Sequence, residues 1–243
     1  MLAALGRLSA AVAHEIRNPL AAIVQANALL EEDLQDPGQK RLAQMVQQNA
    51  DRLARIAEEV LDIARVQHQA NHAPASTLAL DASVAQVWSD WCAQAPAKRQ
   101  GQILLNAPML HVEFDTEHLR RVLVNLLDNA LRYMGPHEDS LLVQTRTSAT
   151  GQITLQVWSD GAPMDKSVER HLFEPFFSSE SRSSGLGLYI CRELCQRHGA
   201  SISYQRTHRT TARGNTGGNA FTVAFRRTTR PQEAATLFDS IVI

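Results

Sequence analysis

The 243-residue sequence predicts an α+β chain in two parts. A helical hairpin comes first and pairs with a second copy into a four-helix bundle, and an α/β sandwich follows it. Three observations predict this. Apolar residues recur at helical spacing from the N-terminus, with no strand signal before Thr77. The stretch Asn71-His72-Ala73-Pro74-Ala75-Ser76 then interrupts the pattern. Beyond it, short alternating runs and amphipathic helical stretches take turns.

Taken in order, the first helix runs from Leu2 to about Leu34, with Val12, Ile16, Leu20, Ile23, Asn27, Leu30 and Leu34 along one side. Pro19 is expected to kink or loosen it. Asp36-Pro37-Gly38 reads as a turn. In the second helix, Leu42, Val46, Asn49, Leu53, Ile56, Val60 and Ile63 alternate steps of four and three, which is a heptad seam. One hairpin leaves much of such a seam exposed, so the pattern predicts a homodimer through this hairpin; packing on the chain's own second part is the competing use of the seam. Residues 1–70 are thus expected as one domain, 71–76 as linker, 77–228 as the second domain and 229–243 as a tail.

In the second part, residues 77–80, 103–105 and 110–114 read as strands, and Asp81 as the cap of a helix reaching about Gln94. A long helix follows at about 116–133. Residues 141–147 and 153–158 alternate like strands with one covered face. Residues 185–198 form a helix closed by Gly199. Residues 202–205 and 221–225 complete an antiparallel sheet, with a Gly/Thr/Arg-rich hairpin loop between them and helices on one face.

Bulk properties exclude several classes. The net charge of −1 gives no general field for nucleic acid or an anionic membrane, so no nucleic-acid partner is expected. No apolar run approaches the ~20 residues that span a bilayer, and no signal-peptide pattern is present. The three cysteines, Cys92, Cys191 and Cys195, lack a framework spacing and read as reduced thiols of a cytosolic protein. Cys191 and Cys195 are one helical turn apart, a spacing that helix packing explains without a metal.

Chemistry concentrates at a few positions. His14, Glu15 and Asn18 form a small reactive array on the first helix, since residues four apart share a face. Val12 and Ile16 lie about 200° around the helix from His14 by the 3.6-residue period, so the imidazole is expected in solvent and its neighbours buried. On the long helix, Asn125, Asn129, Arg132 and Tyr133 fall within roughly 80° of one another at about 100° per residue. Two amides, a guanidinium and a phenol on one face suit a polyphosphate nucleotide: amide oxygens can ligate Mg²⁺ and Arg can hold phosphate oxygens. Alone, such a face is better read as a merely polar helix face. Asp160-Gly161 follows a strand, where a carboxylate can accept from an exocyclic amine. Gly185-Leu186-Gly187 opens a helix whose N–H groups can meet phosphates. Between them, Phe173-Glu174-Pro175-Phe176-Phe177 and a Ser/Arg-rich run look like a cover anchored by aromatics.

In this order the motifs resemble those of two-component sensor histidine kinases over almost the whole chain, with wording most similar to the nitrogen-regulation and type IV pilus group. The stretch around His14 is similar to the phosphoacceptor box, Asn125–Ala130 to the N box, Phe173–Phe177 to the F box, and Gly185–Leu188 to the second glycine box. The resemblance implies a Bergerat-type ATP-binding sandwich behind a dimerisation and histidine-phosphotransfer hairpin. It implies His14 as phosphoacceptor, Glu15 as its general base or orienter, and Asn18 as the holder of a hydrolytic water. Asn125 would hold Mg²⁺, Asn129 and Arg132 the triphosphate of ATP, and Tyr133 the adenosine. Gly161, Gly185, Leu186 and Gly187 would line the nucleotide, and Arg182 would be the lid cation.

The sequence departs from the family at several points. Ser159 holds the position of the first glycine box where the family has Asp, and Pro163 replaces its second glycine, leaving Asp160 as the expected reader of adenine. Ser183 replaces a glycine, and Glu180 stands where relatives are often basic. The implied function is Mg·ATP-dependent autophosphorylation of His14 and transfer to an aspartate of a response regulator receiver domain. The alternatives are a phosphatase-dominated sensor with nucleotide as a conformational ligand, a Bergerat-fold ATPase without phosphotransfer, and a dimerisation scaffold. The implied setting is the cytoplasmic part of a bacterial sensor that meets the membrane only through an upstream region.

Overall fold

The computed structural model describes residues 2–68, 77–94, 101–177 and 185–226; before residue 69 the side chains described are those of 16, 18–54, 56 and 57. The expected linker and the 229–243 tail lie outside the described residues.

Helix α1 (Leu2–Asp33) continues through Pro19, whose missing N–H removes one ladder bond without ending the helix. Helix α2 (Pro37–His68) begins earlier than the expected turn allows. Pro37 is its first residue, where a missing N–H costs nothing, and the Asp36 carboxylate accepts from the Gln39 N–H at 2.9 Å. Between the two helices, Leu20 and Asn27 of α1 are buried with Ala43, Ala50 and Ala57 of α2. Those alanines repeat every seventh residue and let the backbones approach. The Asn27 amide donates to the Ala43 carbonyl at 2.9 Å. The heptad row of Leu42, Val46 and Leu53 instead lines an open groove with Leu20 and Ile23 of α1 and is exposed in the single chain, as are Ile23 and Leu30. Ile16, expected to be buried, is 43% exposed.

Strands β1 (Thr77–Ala79) and β3 (His111–Glu113) pair antiparallel, with helix α3 (Leu80–Ala93) and strand β2 (Gln102–Leu105) between them in sequence. Asp81 does not cap α3. Its carboxylate reaches across the fold to accept from the Thr145 hydroxyl at 2.6 Å and the Ala107 N–H at 3.0 Å, and Ala79 begins the helix without a side-chain cap. Helix α4 (Thr116–Tyr133) matches its expected span, capped by Asp115.

Among the described residues, the main sheet has the order β2-β4-β5-β7-β6, built from β4 (Leu141–Thr147), β5 (Ile153–Ser159), β6 (Ser201–Thr211) and β7 (Gly214–Ala224). It is not wholly antiparallel, because β2 runs parallel to β4. Helices α3, α4 and α6 (Gly187–Arg197) cover one face, their apolar sides meeting Leu141, Val143, Leu155, Val157, Phe221 and Val223. The sequence gives α6 two residues too many at its start, since Gly185 has φ +70°. Gly199, at φ +65°, ends it as expected.

Two strand expectations change. β4 is buried on both faces from Leu141 to Thr145. On the helix-free face Leu142, Trp158 and Ala220 form a second apolar cluster, and the Arg209 guanidinium lies 5.4 Å from the Trp158 ring centroid. The supposed Gly/Thr/Arg-rich loop is itself mostly strand, paired in register from Ser201↔Ala224 to Thr211↔Gly214. Its glycines serve close approach. A Cβ on Gly218 would stand 2.2 Å from the Trp158 ring and 2.5 Å from the Ser159 carbonyl oxygen. Gly218→Ala is therefore expected to destabilise the fold by about 1–3 kcal/mol or more, as overpacking does. Urea unfolding measures it, and an unchanged midpoint would contradict the packing of Trp158.

Candidate functional site

α4 is strongly two-sided. Leu119, Val122, Leu123, Leu126, Leu127 and Ala130 are buried against the sheet and α6. Asn125 and Asn129 are half-buried along its other side, while Arg132 and Tyr133 are exposed at its end. The fold brings Asn125 to the start of α6. A Cβ on Gly187 would lie 3.4 Å from the Asn125 amide oxygen, and one helical turn on, the Cys191 thiol sits near the same side chain and donates to the Val122 carbonyl at 3.8 Å. Burial pushes the Cys191 thiol well above its ordinary range and Cys195 up to about 12, so both are neutral packing groups. Leu186 supplies no side-chain cap. The first-turn N–H groups of α6 are thus left beside an amide oxygen, a setting that favours an anion and its counter-cation.

Gly185 explains why the second glycine motif sits where it does. A Cβ there would come within 2.6 Å of the Phe176 carbonyl carbon and the Phe177 oxygen, both backbone atoms that cannot swing aside. The F-box motif and the start of α6 are thereby in contact. Phe173 packs edge-on to Phe221, with ring centroids 6.5 Å apart, and anchors the segment. Phe176 stands 68% exposed at φ +63°. Arg182, with Glu180 and Ser183, lies outside the described residues. A short helix, α5 (Lys166–His171), precedes this segment where the sequence reading saw only cover; its signal was Asp165, whose carboxylate accepts from the Ser167 N–H at 2.7 Å.

At the end of β5 the two faces of the sheet part company. Asp160, expected to meet a nucleobase, has a side chain only 3% exposed and both oxygens engaged. One accepts from the Gly135 N–H at 2.8 Å; the other accepts from the Ser140 hydroxyl at 2.8 Å and lies 2.8 Å from Arg213. Burial works to raise this carboxyl, but those donors together hold it below the ordinary carboxylate range. Arg213, in the β6–β7 turn, also pairs with Asp139 at 2.9 Å.

Gly161 lies under the end of α4, where a Cβ would be 3.0 Å from the Tyr133 carbonyl oxygen. Three residues that the sequence reading missed hold this turn. Arg206 donates to the Gly161 carbonyl at 2.6 Å, Asn219 donates to the Ala162 carbonyl at 2.9 Å, and the Tyr204 hydroxyl donates to the Asn219 oxygen at 2.9 Å. No local signal marks them, because they meet the turn only through the β6–β7 pairing. His14 and Glu15 fall within the α1 backbone, with side chains outside the described set; Asn18 is exposed on the same helix.

Comparison with known proteins joins the two parts. Residues 4–69 match the His Kinase A (phospho-acceptor) domain, and residues 114–229 match the family described as histidine kinase-, DNA gyrase B-, and HSP90-like ATPase. The chain is 34% identical to the sensor protein kinase PilS of Pseudomonas aeruginosa over 92% of its own length and 41% of that protein's. It is 29% identical to the sensor histidine kinase ZraS of Escherichia coli K12, covering 83% of this chain and 42% of that one. The chain thus spans about two fifths of the length of these relatives. Among solved structures, ShkA in complex with AMPPNP shares the fold at TM-score 0.65 and 21% identity, over 94% of this chain and 48% of that one. The Acinetobacter baumannii histidine kinase AdeS does so at TM-score 0.56 and 20% identity, over 87% and 96%.

Proposed function

We propose, for a chain that belongs to the two-component sensor histidine kinases, that it transfers the γ-phosphoryl group of ATP to His14 and then to an aspartate of a response regulator receiver domain. The observation that carries the reading is the meeting of Asn125 with the uncapped start of α6. Amide oxygen, free helix N–H groups and the half-buried Asn129 suit a triphosphate with a hard cation. Asn125 would hold Mg²⁺, which supplies charge neutralisation between phosphates; Asn129 and Arg132 would hold phosphate oxygens, and Tyr133 the nucleoside. His14 acts as nucleophile in its neutral form. Its ring nitrogen bonds to phosphorus as the bond to the ADP oxygen breaks, and Glu15 orients the ring and takes up its proton.

The exposed row of Leu42, Val46 and Leu53 supports a homodimer through the hairpin, since a second copy would bury what α1 leaves open. The deciding experiment is incubation with γ-labelled ATP and Mg²⁺, followed by acid and alkali treatment. Phosphohistidine is lost in acid and survives alkali, and the label should chase onto a receiver domain. Absence of any acid-labile label would overturn the reading.

Asn18 separates the two activities served by one histidine. It is exposed one turn beyond His14 on the same face, where its amide can hold a water against an aspartyl phosphate. Autophosphorylation needs no such water. Asn18→Ala is expected to leave autophosphorylation within a few-fold and to slow dephosphorylation of the regulator about tenfold or more, as loss of positioning does. Equal loss of both would show instead that Asn18 maintains the helix.

A further inference from the structure

We infer that Ser159, and not Asp160, faces the base of the bound nucleotide, and that the site therefore accepts both amino- and oxo-purine nucleoside triphosphates. The inference rests on the nucleotide-binding reading above and specifies its substrate class.

Strand parity carries it. Val157 pairs with Phe221, and both face the helix layer. Ser159 is two residues further along β5 and pairs with Asn219, so it shares that face. There it lies beside Gly161, whose Cα closely approaches both Tyr133 at the end of α4 and Asn219. Asp160 falls on the other face, and its bonds show it: Ser140, Gly135 and Arg213 take both of its oxygens. A carboxylate already committed to a guanidinium, a hydroxyl and a backbone N–H has little capacity left for a base.

Ser159 is the reverse case. The residue is 5% exposed, its hydroxyl makes no hydrogen bond among the described residues, and that oxygen is not among the fully buried unpaired atoms, so it reaches solvent. Nearly every other polar group around it is engaged: the Tyr204, Arg206 and Asn219 side chains bond one another and the Gly161–Ala162 backbone. A hydroxyl that has no partner among the described residues and still reaches solvent beside these engaged groups is free to bond a ligand.

The chemistry of that group sets the specificity. A carboxylate only accepts, so it favours the exocyclic amine of adenine and opposes the carbonyl of guanine. A hydroxyl both donates and accepts, and rotates to suit either. The Watson–Crick edge is then read by a group with no preference in charge, and the triphosphate, held at Asn125 and α6, carries most of the affinity.

The test is competition of ATP and GTP, each with Mg²⁺, against a fluorescent ADP analogue on the 243-residue chain. The native protein should bind the two within about tenfold of each other, the range that a site without an obligate polar partner allows. Ser159→Asp should widen the preference for ATP by about tenfold or more, because the new carboxylate opposes the guanine carbonyl. A carboxylate at so buried a position can cost folding, so Ser159→Ala is the second arm; it should weaken both nucleotides by a similar factor. Asp160→Asn should lower the unfolding temperature and move both affinities together. A native ATP preference that collapses in Asp160→Asn alone would overturn the inference, as would an ATP/GTP ratio unmoved by Ser159→Asp in a folded protein. Failure of the native chain to bind either nucleotide would instead overturn the nucleotide reading itself.

Discussion

His14→Gln abolishes the acid-labile label while nucleotide binding survives: that is the expected result with the largest effect. The reaction needs a nitrogen lone pair. A neutral imidazole presents one. Glutamine offers an amide whose nitrogen lone pair is delocalised into the carbonyl, so it cannot accept the phosphoryl group. It is also a good helix former, and α1 should persist. The loss should therefore be complete in label incorporation and negligible in the affinity of the second domain for ATP, measured by titration. Label persisting in the variant would move the acceptor elsewhere and sink the assignment of His14.

Asn125→Asp is expected to cost nearly as much, by a different route. The side chain keeps its size, so packing against Gly187 and Cys191 is preserved. The added charge lies at the start of α6, where the helix has no side-chain cap. An anion there is favourable for the free protein, by roughly 0.3–1 kcal/mol at an exposed helix end. The same charge repels a triphosphate and occupies the electrostatic position that the phosphates would use. The variant should thus unfold at the same temperature as the native chain or higher, yet lose label incorporation by about 100-fold or more, the scale of a lost electrostatic contact in such a site. Native turnover in Asn125→Asp would reduce Asn125 to a polar residue on a helix face. A lowered unfolding temperature would contradict the proximity to α6.

Much of this was legible from residues alone, and the legible parts share a cause. The span of α4 was legible because its apolar stripe is a local signal, and the Asp115 cap that starts it acts within three residues of chain. The hairpin was legible from its heptad seam, although the side of α2 that meets α1 was not: the alanines at 43, 50 and 57 carry little hydrophobic signal and win by permitting close approach. Asp81 looked like a cap because a carboxylate at the start of a helix usually is one. Its partners, Thr145 and Ala107, come from distant strands that no local pattern announces. The glycines between Thr211 and Phe221 looked like a loop, because the ring of Trp158 that requires Gly218 belongs to another strand.

The sequence by itself determined which chemical groups this protein has and the helices and strands that carry them, since periodicity, capping and turn residues act within a few residues of chain. It determined the amide face of α4 and the spacing of His14 from Asn18. Only the tertiary structure decided which way the chain faces at the end of β5. There the side-chain period is two, so one residue separates a group under the helices from a group on the opposite face, and the register with β7 and the reach of Arg213 settle the parity. That long-range pairing sends Asp160 to the back of the sheet and leaves Ser159 in front.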